Sequence, residues 1–186
     1  MCGISGIYAP EGWLPAADLE HTAREMAQRL RHRGPDRVGS WVSACGKVAL
    51  GHTRLSVIDL TAAGDQPMTS ANGRWTITYN GEIYNLGTLF NAIGRPQSAY
   101  RGHSDTEVFV ESIAAHGVPV TLERAVGMFA FAAWDHERSE LWLARDRVGE
   151  KPVYYSLHRG AFIFGSELDA FRELPSFSPS IDRDAL

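Results

Sequence analysis

The sequence predicts an α+β fold in which two antiparallel sheets pack face to face and helices cover their outer surfaces. Three observations carry this. Strands and helices come in groups with few strict strand-helix-strand alternations, which argues against a doubly wound parallel sheet. The run Met128-Phe129-Ala130-Phe131-Ala132-Ala133-Trp134 is apolar without interruption. A strand covered on both faces loses its in-out alternation in this way. Finally, 186 residues that are 44% hydrophobic and 22% charged supply one domain with a sizeable core.

Taken in order, residues 4–8 read as a first buried strand, followed by a loop containing Pro10 and Gly12. Over residues 18–31 the apolar side chains Leu19, Ala23, Met26, Ala27 and Leu30 recur at helical spacing, Arg29 and Arg31 lie near the end, and Gly34-Pro35 is the stop. Residues 41–42, 48–53, 55–58 and 75–79 read as strands between Gly, Asn and Ser turns. A short helix follows at 86–92. Ser104, with Glu107 three residues on, forms a capping box that opens a helix through Val108, Phe109 and Ile113 to a stop at Gly117. Residues 128–134, 140–144, 153–157 and 161–165 make two hairpins that turn at 135–139 and 158–160. After Leu174 the stretch Pro175-Ser176-Phe177-Ser178-Pro179-Ser180 is linker-like.

The formal net charge is -4 and the pI about 6.0, so the basic excess expected of a nucleic-acid-binding domain is missing. No run approaches the roughly 20 apolar residues of a membrane span, and the N-terminus lacks a basic segment followed by an apolar one. A cytoplasmic protein with no nucleic-acid or membrane partner is expected. The two cysteines, Cys2 and Cys45, make neither a disulfide framework nor a CxxC pair, and no metal site is expected. Cys45, in Ser43-Ala44-Cys45-Gly46, reads as a loop residue.

Cys2 stands directly behind the initiator methionine. Once Met1 is removed, one residue carries both a thiol, with an ordinary pKa of about 8.5, and an α-amine that titrates at about 7.7 to 8.0 and can take the thiol proton. Asn80-Gly81-Glu82 follows strand 75–79 and places an amide, a bare backbone and a carboxylate at a strand end. One reading is a plain Asn-Gly turn. The other is an oxyanion site made by the Asn80 amide and the Gly81 N–H. Arg54, between Thr53 and Leu55 in apolar surroundings, needs a carboxylate partner from the protein or from a ligand. Asp105 reads either as a first-turn acid that complements the helix dipole or as part of a site. Arg54 for a carboxylate, with Glu82 and Asp105 for an ammonium, is what recognition of a free α-amino acid requires.

Eight stretches in order carry a family resemblance: CGISGIY, RHRGPD (31–36), GHTRLSVIDL (51–60) with DQPM after it, YNGEIYN (79–85), SDTE (104–107), GMFAFAAWD (127–135), ARDRVGEKPVYY (144–155) and FGSEL (164–168). Together they resemble the glutaminase domain of glutamine-hydrolysing asparagine synthetases, from Cys2 to about Phe171. This is a class II glutamine amidotransferase, within the N-terminal-nucleophile (Ntn) hydrolases. The resemblance implies a four-layer αββα sandwich of two antiparallel sheets between helical layers. It implies Cys2 as the nucleophile that attacks the glutamine carboxamide and forms a thioester, Asn80 and Gly81 as the oxyanion hole, and Arg54 as the holder of the substrate α-carboxylate. Glu82 and Asp105 would receive the α-ammonium, with backbone near Val57 lining the pocket. The expected products are glutamate and ammonia.

The departures are modest: Arg37 after GPD, Thr53 before Arg54, Glu150 in DRVGEKP and Asp169 after SEL. Members of the family continue into a synthetase domain with an ATP pyrophosphatase loop containing Ser-Gly-Gly, a motif that does not occur in these residues. The expected organisation is a glutaminase domain over residues 1–174 and a linker over 175–186 toward a synthetase domain, downstream or supplied in trans. No cofactor is expected here, ATP and magnesium belonging to that synthetase domain. L-Glutamine is the expected small-molecule partner, and a homodimer stays open. The ammonia acceptor would be aspartate or, as in relatives of surface-polysaccharide pathways, a sugar. Two other readings compete: a glutamine-binding module without turnover if Met1 is kept, and a thiol peptidase. The peptidase is disfavoured because Arg54, Glu82 and Asp105 together leave no room for a peptide chain.

Overall fold

A computed structural model of the chain describes residues 1–11, 14–175, 177 and 178. The first half contains β1 (Gly3–Tyr8), α1 (Ala16–Arg29), β2 (Arg37–Val42), β3 (Val48–Arg54), β4 (Met68–Thr69) and β5 (Trp75–Ile83). The second contains α2 (Leu86–Ile93), α3 (Asp105–His116), α4 (Val118–Arg124), β6 (Gly127–Asp135), β7 (Glu140–Arg145), β8 (Tyr154–His158) and β9 (Ala161–Gly165). One sheet runs β2-β3-β1-β9-β8 and the other β4-β5-β6-β7. Every pairing is antiparallel.

The period of two along each strand distributes the apolar residues over three buried layers. Ile4, Val48 and Leu50 face Ala130, Ala132 and Trp134 between the sheets, with Phe164 among them. Ile7, Ala49 and Ile163 point the other way, onto Leu19, Ala23 and Met26 of α1, onto Leu30 at its C-cap and onto Phe171 of the 3-10 stretch Leu168–Glu173. Ile77, Tyr79, Phe129 and Phe131 meet Val108, Phe109 and Ile113 of α3, with Leu89 of α2 and Val118 of α4 beside them. The result is helix, sheet, sheet, helix, the four layers implied by the resemblance.

The two expected hairpins form but lie in different sheets, β6-β7 in the four-stranded one and β8-β9 in the five-stranded one. Residues 55–58 are not a strand. Their apolar side chains sit on a cavity rim, Val57 being 73% and Ile58 53% exposed, so their β-propensity finds no sheet to join. β5 runs on to Ile83, which puts Asn80-Gly81-Glu82 inside a strand rather than after one and removes the turn reading. β4 and α4 were not read from the sequence; α4 carries Pro119 in its first turn, where a missing N–H costs nothing. The capping box is half formed. Ser104 Oγ accepts from Glu107 N–H, but the Glu107 carboxylate reaches Arg101 and Gly102 instead of Ser104. Of the expected linker, residues 176 and 179–186 lie outside the described residues, while Phe177 packs edge-on against Phe171.

Candidate active site

The strand alternation that builds the core also builds the site. Gly3 pairs with Thr53, so Cys2, one residue before β1, comes level with Arg54 at the end of β3. Even-numbered positions of β1, β3 and β5 face between the sheets, and at this end of the sandwich they are Cys2, His52, Arg54, Asn80 and Glu82 rather than aliphatic residues. Asp105 enters from the first turn of α3. A cavity of about 260 Å³ results, lined by Cys2, Arg54, Val57, Asn80, Gly81, Glu82 and Asp105, all seven residues singled out from the sequence. Met1, Asp59, Gln66, Tyr79, Thr106 and Lys151 are also in its wall.

Cys2 Sγ receives the N–H of Leu55 at 3.4 Å, and burial raises the thiol above its ordinary value despite that bond and the nearby positive charges. A thiol of this kind needs a base. Its carbonyl is held by Arg33 Nε at 3.0 Å, and Arg33 is in turn paired with Glu167 at 2.8 Å, so the RHRGPD loop grips the residue that carries the thiol.

The geometry around Asn80 and Gly81 follows from an interrupted ladder. β4 pairs with β5 only at Met68–Ile77 and Thr69–Thr76. Beyond it the backbone edge of β5 is taken up by side chains. Gln66 Oε1 accepts the Tyr79 N–H at 2.6 Å, and Asp105 Oδ2 accepts the Ile83 N–H at 3.2 Å. Phe129, opposite Gly81, spends its N–H and carbonyl on Asp146. Gly81 is therefore a non-hydrogen-bonded position whose N–H points to the same edge as those of Tyr79 and Ile83, between Gln66 and Asp105 and paired to neither. Beside it, Asn80 is 2% exposed and its Nδ2 is buried without a partner among the described residues. Gly81 is also sterically required: a Cβ there would stand 2.4 Å from the Met128 carbonyl oxygen.

Arg54 is 6% exposed and already partnered. Nη1 donates to Asp65 at 2.6 Å and to the Thr61 carbonyl at 2.7 Å, and Nη2 donates to the Asp59 carbonyl. Among the described residues Nε and one N–H of Nη2 have no partner. Asp59 is held well down, to about 2, by the His103 N–H and by the hydroxyl and N–H of Thr61, and so pins the loop beneath Arg54. Asp105 is raised by burial, against the bonds it accepts from Ile83 N–H and Tyr79 Oη. Lys151, 6% exposed, lies with Nζ 3.6 Å from Met1 Sδ, on a loop whose N–H groups at 148, 150 and 151 converge on Asp146. Sequence reasoning passed over Gln66, Asp59 and Lys151. The signal available was a polar residue held between punctuating glycines and prolines, in DQPM and DRVGEKP.

The whole chain, residues 1–186, matches the family model described as a glutamine amidotransferase domain. It is 37% identical over 193 residues to asparagine synthetase [glutamine-hydrolyzing] 3 of Bacillus subtilis, covering 100% of this chain and 30% of the relative. It is 36% identical over 172 residues to asparagine synthetase B [glutamine-hydrolyzing] of Escherichia coli, covering 91% and 30%. It is 34% identical over 178 residues to amidase chry2 of Gibberella zeae, covering 92% and 26%. The chain thus spans under a third of the length of these relatives. In fold it is similar to a glutamine phosphoribosylpyrophosphate amidotransferase from B. subtilis, with a TM-score of 0.76 and 22% identity over 92% of this chain and 43% of that one. Among the described residues no helix is long and apolar enough to cross a membrane. By its sequence match over its whole length, the chain belongs to the glutamine amidotransferase domain family.

Proposed function

We propose that the chain hydrolyses L-glutamine to L-glutamate and ammonia through a thioester on Cys2. The observation that carries this is the buried Asn80 Nδ2 beside the Gly81 N–H, both without a hydrogen-bond partner among the described residues, in the cavity that holds the Cys2 thiol. Two oriented donors next to a nucleophile stabilise negative charge that develops only in the transition state.

With Met1 removed, the Cys2 α-amine takes the thiol proton and Sγ attacks the side-chain carbonyl carbon of glutamine. The carbonyl oxygen becomes an oxyanion facing Asn80 and Gly81. Collapse breaks the C–N bond, the amine's proton goes to the leaving nitrogen, and ammonia departs. Water, deprotonated by the same amine, attacks the thioester carbonyl, and the same two donors receive the second oxyanion before glutamate and the free thiol separate. Arg54 takes the α-carboxylate through its Nε and Nη2 edge, and Glu82 and Asp105 take the α-ammonium. The relatives named above are glutamine-hydrolysing asparagine synthetases, which supports delivery of ammonia to aspartate in a synthetase domain outside these residues.

Incubating the Met-free protein with glutamine yields glutamate and ammonia in equal amounts. Undiminished turnover by Cys2→Ala removes the nucleophile from the scheme. A second reading holds if Met1 is retained, in which case it lines the cavity with its sulfur against Lys151. A chain that keeps Met1 has a peptide nitrogen in place of the base and acts as a glutamine-binding module. Intact mass distinguishes the two forms.

A further inference from the structure

We infer that Gln66 is a positioning residue for the oxyanion donors: its side-chain amide stands in for a missing strand residue and sets where Asn80 and Gly81 lie. This rests on the glutaminase reading.

The edge of β5 opposite β6 is covered by backbone only as far as Ile77. At the next outward-pointing residue, Tyr79, Gln66 pairs as a strand would: Oε1 accepts the Tyr79 N–H at 2.6 Å and Nε2 donates to the Tyr79 carbonyl at 3.1 Å. The second Nε2 proton goes to Thr106 Oγ1 at 3.3 Å, one residue after Asp105. Every donor of this amide is used, and Gln66 is 9% exposed. The carbonyl it holds belongs to the Tyr79-Asn80 peptide, so the amide fixes the plane from which the Asn80 side chain departs and the register at which Gly81 follows.

A paired backbone extension of β4 past Met68 would cover the edge on which the Gly81 N–H lies. A side chain covers one residue and stops. Gln66 thus rigidifies the strand up to Asn80 while leaving the next N–H open to the cavity. Its bond to Thr106 ties that strand to the start of α3, while Asp105 itself is held by Ile83 N–H and Tyr79 Oη and not by Gln66. His52 Nε2 donates to the same Tyr79 carbonyl at 3.1 Å but offers nothing to the Tyr79 N–H, and so cannot replace the amide.

The test uses Gln66→Met, which keeps length and removes the polar pair, and Gln66→Glu, which keeps shape and acceptor but turns the donors to Tyr79 and Thr106 into lone pairs. Wild-type turnover is the control; if the wild type releases no glutamate, the functional reading fails, not the assignment of Gln66. With an active wild type, both variants lose about 100-fold in kcat, the size expected when reacting groups are displaced by about 1 Å. Affinity for the γ-aldehyde analogue of glutamine, which forms a tetrahedral adduct with the thiol, falls by the same factor. Glutamate binding, measured in the Cys2→Ala background, changes by less than about threefold, since it needs no oxyanion donor. If Gln66→Met does not fold, Gln66→Glu alone carries the comparison. Either variant with kcat within about threefold of wild type overturns the inference, and so does glutamate binding that falls as far as aldehyde binding, which marks a general collapse of the pocket.

Discussion

Arg54 and Asp65 meet at 2.6 Å across a loop of ten residues, with the guanidinium 7% and the carboxylate 33% exposed. The same guanidinium ties down the Thr61 and Asp59 carbonyls. Its partner is thus the protein, and in the proposed reaction the substrate shares what is left of the fork. The protein's own ligands hold the Nε and Nη2 edge in a fixed orientation before substrate arrives.

Lysine at position 54 keeps the charge but offers one point of attachment, and cannot satisfy Asp65, Thr61 and Asp59 while also gripping a carboxylate through two bonds. Arg54→Lys is expected to lose about 1.5 to 3 kcal/mol of substrate binding, a rise of roughly 10- to 150-fold in the KM for glutamine with kcat little changed. Steady-state kinetics on the Met-free protein measure this. A KM equal to that of wild type removes Arg54 from the substrate pocket.

Asn80 illustrates a site kept at the expense of stability. Its Nδ2 is buried and has no protein partner among the described residues, so the fold spends no intramolecular bond on that group. Asn80→Ala is expected to lower kcat by about 100- to 1000-fold, the usual cost of one oxyanion donor. Thermal stability should stay level or rise, because an orphaned polar group is deleted. A melting temperature that drops together with kcat shows that Asn80 has a structural partner and is not a waiting donor.

The residues that line the cavity were legible from their types and motifs, Cys2, Arg54, Asn80, Glu82 and Asp105 among them; the strand parity that Cys2, Arg54, Asn80 and Glu82 share with Ile4, Val48 and Leu50 was not, because it depends on the register between strands. The start of α3 was legible as well, since Ser104 supplies the cap that the helix needs. What also escaped was whatever depends on a side chain imitating backbone or on a loop closing over distance. Gln66 extends a sheet without being in a strand. Asp65 meets Arg54 only because a 3-10 turn at Ala62–Gly64 folds the loop back. The apolar stretch at 55–58 resembles a strand because rim residues that lie over a cavity carry the same composition as buried ones.

The Cys2 thiol is raised by burial, so at neutral pH it is mostly protonated, and the thiolate forms as pH rises. The Met-free chain should be alkylated by iodoacetamide faster than a chain in which Met1 is retained, because only the former has an α-amine beside the thiol. The retained-Met chain should still bind glutamine, with no release of ammonia. Comparable alkylation rates at pH 7 for the two forms dissociate the α-amine from thiol activation.

His52 is 1% exposed between the sheets, donates to the Tyr79 carbonyl, and is pushed down from 6.5 to about 3, chiefly by burial, with the Arg54 charge adding to it. Its folded-state value lies below its unfolded one. Between about pH 6.5 and 3 the unfolded chain therefore binds a proton that the native chain refuses, and stability falls as the pH is lowered through that window by up to about 1.4 kcal/mol per unit. His52→Gln keeps a donor for the Tyr79 carbonyl but does not titrate. Carboxylates such as Asp59 and Asp135, which are depressed in the fold, weaken both proteins alike in acid and cancel in the difference. Between pH 6.5 and pH 5 the wild type should lose roughly 1.5 kcal/mol more than His52→Gln in urea unfolding. Parallel pH profiles would mean that native His52 takes up a proton as readily as the unfolded chain does, so that burial does not depress it.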